Sequence, residues 1–175
     1  MKKILAIGTI IAALSGCSEE PSEEFERIVI STLLSNTWRA ECVIDGENSY
    51  LPTLVFVTDG VTLFNSGTGT SSNIYHTANT TCTSIDPEVL DLSTFSYTLG
   101  ADVIVDGSIE GITAAVEIDT VDTTEGSVDL GVEVFNIFAI KDRFTLYFGN
   151  KDEPTNGSTA DLRPTQLSDS FIFTR

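Results

Sequence analysis

Residues 127–140 read SVDLGVEVFNIFAI. Val128, Leu130, Val132 and Val134 alternate with Asp129, Gly131 and Glu133. A period of two predicts a strand with one face toward a core and one toward water. The pattern continues into FAIKDRFTLYFG, where Phe144, Leu146 and Phe148 follow Lys141-Asp142-Arg143, so a hairpin turning at those three residues is expected. Working outward, TFSYTL sets Phe95, Tyr97 and Leu99 against Ser96 and Thr98, and SFIFT carries Phe171 and Phe173. DGE, TDG, SGTGTSS, VDGS and TTEG read as separators between short strands. The expected fold is all-β, an antiparallel meander of about 8–10 strands closing into a barrel or packing as a sandwich.

The beginning of the chain follows other rules. Lys2 and Lys3 precede the apolar run Ile4–Leu14, then Ser15, Gly16 and Cys17. A basic start, a short apolar stretch and small residues have the layout of a secretory signal, and the run falls short of the ~20 residues that span a bilayer. LSGC at 14–17 resembles the bacterial lipobox. That resemblance implies removal of residues 1–16 and acylation of Cys17 as the first mature residue. With about 0.8 kcal/mol of membrane affinity per buried methylene, several acyl chains anchor a protein durably. By the same resemblance, Ser18 in the next position points to the bacterial outer membrane, with the domain facing the periplasm or the exterior. Residues 17–24, which include SEEPSEE, form an acidic tether ahead of a domain over 25–175. Phe25, Ile28, Val29, Thr32 and Leu33 recur at helical spacing, which predicts a short amphipathic helix over 23–34 with Ser22 as its N-cap.

Charge narrows the partners. The chain carries 9 basic and 26 acidic residues, a formal net charge of −17, and without Lys2 and Lys3 this becomes seven against 26, or −19. Between Arg39 and Lys141 there is no Lys or Arg, while 16 carboxylates fall in that interval. Such a surface repels phosphate backbones, so no nucleic-acid partner is expected. It reads as a solvated exterior screened by salt. With Cys17 assigned to lipid, Cys42 and Cys82 remain as a pair in an oxidising compartment, and a structural disulfide is expected.

SNTWRAEC, residues 35–42, places the single tryptophan, Trp38, at the start of the first strand just after the helix. This resembles the opening of lipocalin-like barrels, where Gly-x-Trp begins strand one, the indole closes the barrel floor and a late arginine lies over it. Here Arg175 stands as that arginine, and Asn36 replaces the family's glycine. TWRAEC, STFSYTLG, FTLYFGN and DLRPTQLSDSFIFTR also resemble an uncharacterised family of lipocalin-like β-barrel lipoproteins. The resemblance implies a fold and no reaction.

Chemistry-bearing motifs are scarce. No G-x-S-x-G, H-E-x-x-H, P-loop or G-x-G-x-x-G occurs after residue 16. His76, the only histidine, reads as a surface residue and not as part of a triad. Asp86, Glu88 and Asp91, and Asp152, Asn156 and Asp161, offer hard oxygens without the spacing of a calcium loop, and read as solvated carboxylates. Arg163 is expected to pin the long loop through a salt bridge. No enzyme, cofactor or metal is expected. The leading expectation is a barrel that binds a small apolar or amphipathic molecule, with Phe56, Phe64, Phe95, Tyr97 and Phe148 as candidate lining. The alternative is a filled barrel that meets a protein partner of the envelope. A hydrolase ranks last.

Overall fold

A computed structural model describes residues 23–59, 65–105, 109–152 and 154–175, with side chains from Ile28 onward. Cys17, Ser22 and Phe64 lie outside the described residues, as do the signal segment and most of the tether. Among the described residues the chain is mostly β: one α-helix, α1 (Glu23–Leu34), precedes nine antiparallel strands in a single sheet. These are β1 (Thr37–Arg39), β2 (Val43–Asp45), β3 (Asn48–Thr58), β4 (Ser66–His76), β5 (Glu88–Ile104), β6 (Ala114–Asp122), β7 (Glu133–Lys141), β8 (Thr145–Gly149) and β9 (Leu167–Thr174). From β2 to β9 each strand pairs with its successor in sequence, as short turns permit. β1 pairs with both β3 and β9, through Trp38↔Leu54 and Arg39↔Thr174, so the sheet returns on itself in a ring.

Local chemistry explains the corners. Gly46, at φ 62°, is the first of two loop residues between β2 and β3. The β7–β8 hairpin turns after Lys141 with Asp142 and Arg143 both left-handed, at φ 54° and 65°. Pro52 sits inside β3 where one strand edge passes from β2 to β1; its carbonyl accepts from Ala40 N on that side, so its missing N–H falls at the seam.

Two readings of the sequence change here. SGTGTSS is not a separator: Ser66–Ser72 lies within β4, paired on both sides. Gly67 and Gly69 face inward beneath the rings of Tyr97 and Phe95, and a Cβ at Gly69 would come within 2.7 Å of Val55 O and closer still to the Phe95 ring. Glycine in a strand then marks a close approach, not a turn. Conversely, SVDLGV at 127–132 is a turn and not the start of β7, which begins at Glu133. Asp122 captures the backbone there: its carboxylate accepts from Thr124 N and Ser127 Oγ, its carbonyl accepts from Gly131 N, and Gly131 takes φ 80°. Val128 is consequently 98% exposed, and the apparent alternation is a coincidence of spacing.

Inside the ring, Leu34, Trp38, Phe56, Tyr97, Leu99, Val116, Ile118, Phe138, Leu146 and Phe173 pack as one core. Outside it, Val105, Ile109 and Ile112 fold back over Ile137, Ala139 and Tyr147, so the middle of β7 is buried on both faces. Helix α1 occupies the expected span, but its buried face is rotated. Leu34 and Ser31 are fully buried and Ile30 packs on the core, while Val29 and Thr32 are exposed. Ser31 tolerates burial because its Oγ donates to Ile28 O. Replacing Gly69 with alanine is expected to lower the unfolding free energy by about 1–3 kcal/mol, the cost of overpacking a core. A urea titration matching the parent would show that the ring of Phe95 has room elsewhere.

Candidate functional site

The inward faces of the strands do not all meet. A cavity of about 820 Å³ opens within the ring, lined by side chains from β2 to β9. Its apolar wall includes Leu54, Phe56, Phe95, Ile118, Val134, Phe148 and Phe173. Ser71, Ser93 and Thr120 add hydroxyls from β4, β5 and β6. That volume lies in the range of about 300–1,000 Å³ typical of small-molecule sites. The rim carries exposed Val132, Asp129, Lys151 and Phe171.

The wall is built from aromatic rings set edge to face. Phe56 meets Phe95 and Tyr97, each with ring centroids 5.5 Å apart, and Phe148 meets Phe173 at 6.0 Å. Tyr97 lies below the cavity, packed in the core, where burial pushes its phenol pKa up. Phe56, Phe95 and Phe148 therefore reach the space itself, Tyr97 supports them, and Phe64 is outside the described residues.

The far end is filled. Trp38 is fully buried, and its Nε1 donates to Leu34 O at 2.8 Å, satisfying a carbonyl at the end of α1. Arg175 places its guanidinium 5.4 Å from the Trp38 ring and 5.6 Å from Phe144, and Nη1 donates to Leu33 O. Cation and indole face each other as an attraction between charge and ring quadrupole would place them.

Two donors on the cavity wall stand out. Asn136 is 9% exposed, and its Oδ1 accepts from Ile137 N at 2.8 Å and Gly149 N at 3.1 Å. Its amide is thereby oriented, with Nδ2 left for the cavity side. Lys151, two residues beyond Gly149, is exposed overall, yet the protein around its ammonium desolvates it enough to lower its pKa. Asp122 also lines the space; hydrogen bonds from Thr124 N and the Thr124 and Ser127 hydroxyls hold its carboxyl below the ordinary range.

The remaining sequence candidates fall elsewhere. Cys42 and Cys82 are bonded to each other, with Cα atoms 5.9 Å apart, and tie the residue before β2 to the loop after β4. His76 is not a surface residue. It is 4% exposed beneath that loop, where Nδ1 accepts from Ser84 N and pairs with Ser84 Oγ at 2.7 Å. Through these contacts the histidine anchors the loop. Asp91 accepts from Asn73 Nδ2, and among the described residues no group of three His, Cys, Asp or Glu side chains could hold a metal ion. Arg163 binds Asp119, Glu117 and the Asn136 carbonyl, with Phe135 under its guanidinium at 5.4 Å, so it fastens the 150–165 loop to the outer faces of β6 and β7. Comparison with protein-family models, curated proteins and solved structures finds no match for this chain.

Asp122 generates a pH expectation. A carboxyl whose pKa is depressed on folding stabilises above its unfolded value, and that stability is lost as pH falls through the folded value. The 123–132 turn is expected to lose amide protection over that acid range, and an Asp122→Asn variant to show the loosened turn at neutral pH. Unchanged exchange at Thr124, Ser127 and Gly131 in that variant would remove Asp122 from this role.

Proposed function

We propose that this chain is an exported bacterial lipoprotein, anchored to the outer membrane through Cys17, whose lipocalin-like barrel binds a small apolar or amphipathic ligand without catalysis. The observation that carries the ligand reading is the cavity: about 820 Å³ of space between the strands, open to solvent at its rim and walled by Phe56, Phe95, Phe148 and Phe173. Support for a barrel comes from β1, which pairs with β3 and β9 and makes the sheet ring-like. Trp38 packed at the closed end with Arg175 against it matches the arrangement expected of a lipocalin-like floor.

Export is supported by the Cys42–Cys82 bond, since disulfides persist in oxidising compartments. The acidic surface agrees with a salt-screened environment. The anchor itself rests on the sequence LSGC at 14–17. An envelope protein as partner remains the alternative, and the exposed Val128 and Leu130 on the 123–132 turn are the observation that favours it.

Native mass spectrometry of the protein purified from the periplasmic side, followed by denaturing extraction, is expected to release a stoichiometric small molecule. A bare mass that persists after incubation with envelope lipids would overturn the ligand reading. Separately, Cys17→Ala is expected to leave the protein unacylated and in the soluble fraction. Membrane fractionation identical to the parent would remove the anchor.

A further inference from the structure

Resting on the ligand reading above, we infer that the cavity takes a single-tailed amphiphile with an anionic oxygen head, held by Asn136 Nδ2 and Lys151 Nζ. Asn136 is the buried polar side chain on an otherwise largely apolar section of wall, next to Ile118, Val134 and Phe148. Its carbonyl oxygen is occupied by two backbone N–H donors, and its Nδ2, which donates to no protein group among the described residues, is open to solvent on the cavity side. An amide fixed in this way offers donors only, so its partner in the cavity must be an acceptor. A water can meet that need when the site is empty; a ligand that displaces it must reproduce the hydrogen bond.

Lys151 turns a preference for an acceptor into one for an anion. Gly149, whose N–H binds Asn136 Oδ1, is the last residue of β8, and Lys151 follows two residues later on the same cavity lining. No carboxylate pairs with Lys151 among the described residues, in a chain where acids outnumber bases 26 to 9. Two carboxylates also line the space and argue for a cation instead. Asp122 has both oxygens engaged by Thr124 N and Ser127 Oγ, and Asp129 is exposed on the rim turn. Neither presents a free acceptor on the apolar section of wall, whereas the Asn136 amide, its oxygen engaged by two backbone N–H groups, presents donors alone there. Phe148 and Phe173, in edge contact with each other, leave an apolar wall for the tail.

The test compares four probes with a straight twelve-carbon chain by calorimetry on the mature protein: dodecanoate, dodecyl phosphate, dodecanol and dodecyltrimethylammonium. One or both anions are expected to bind at least about tenfold more tightly than dodecanol, the scale of a charge-assisted hydrogen bond. The tighter of the two identifies the head as carboxylate or phosphate. Asn136→Asp keeps the oxygen that Ile137 and Gly149 need while replacing the donor with a negative charge, and Lys151→Met removes the cation. Each is expected to narrow the gap between the anion and dodecanol measured in the same variant. Dodecanol matching the anions in the parent, or unaltered anion binding in both variants, would overturn the head-group assignment while leaving the cavity as a ligand site. Tightest binding of dodecyltrimethylammonium would overturn it in favour of Asp122 and Asp129. Failure of all four probes would overturn the ligand reading itself.

Discussion

The three residues of β1 hold the architecture together. Among the described strands, Thr37–Arg39 is the one that joins the two ends of the meander, pairing with β3 on one edge and with β9 on the other. Without it the meander from β3 to β9 would have two open edges, each a row of unpaired N–H and C=O groups. The strand is too short to be stable by its own ladder, so its position depends on Trp38. That side chain fills the closed end of the ring, and its indole N–H ties the strand to the last turn of α1. Arg175, at the other end of the chain, leans on the same ring and donates to Leu33 O. Helix, first strand and last strand thus meet at one side chain.

Closure at that end is what leaves space at the other. Core side chains are concentrated around Trp38, Tyr97, Leu99, Val116 and Phe138, while β3, β4 and β5 extend past the packed zone. There the inward residues are Tyr50, Asn73 and Ser93, too polar to collapse together as an apolar cluster. The Cys42–Cys82 bond and the His76–Ser84 contact brace the extended end from outside the cavity. An open interior can therefore persist because its walls are held by covalent and hydrogen-bonded supports that do not pass through it.

Much of this architecture is legible in the sequence, and its failures share one cause. Strand content, the α1 span, the turn after Lys141 and the cysteine pairing follow from period, turn chemistry and elimination. SGTGTSS and SVDLGV are misread in opposite directions because periodicity and composition register only neighbours in sequence. Whether Gly69 turns the chain or makes room for Phe95 depends on a residue in the next strand. Whether Val128 to Val132 alternate as a strand or ride on a turn depends on the Asp122 carboxylate that recruits their backbone. The same limit applies to the helix, whose inward face is selected by its fit beside Trp38, not by its own apolar count.

The cavity residues show why a site of this kind leaves so faint a trace. Phe56, Phe95 and Phe148 are visible as large inward residues, and nothing in the chain separates an aromatic that lines a space from one that fills a core, such as Tyr97. Asn136 is harder still, since FNIF reads as a strand with a polar residue on one face. Its meaning comes from register: it faces inward opposite Ile118, and Gly149 at the end of β8 takes its oxygen. An amide in such a place is tolerated because its oxygen satisfies two backbone N–H groups while its nitrogen stays open to the cavity. The position is tolerable where its remaining donor reaches something within the cavity. The polar residue that least suits the apolar pattern of β7 is thus the one that says most about what the interior can hold.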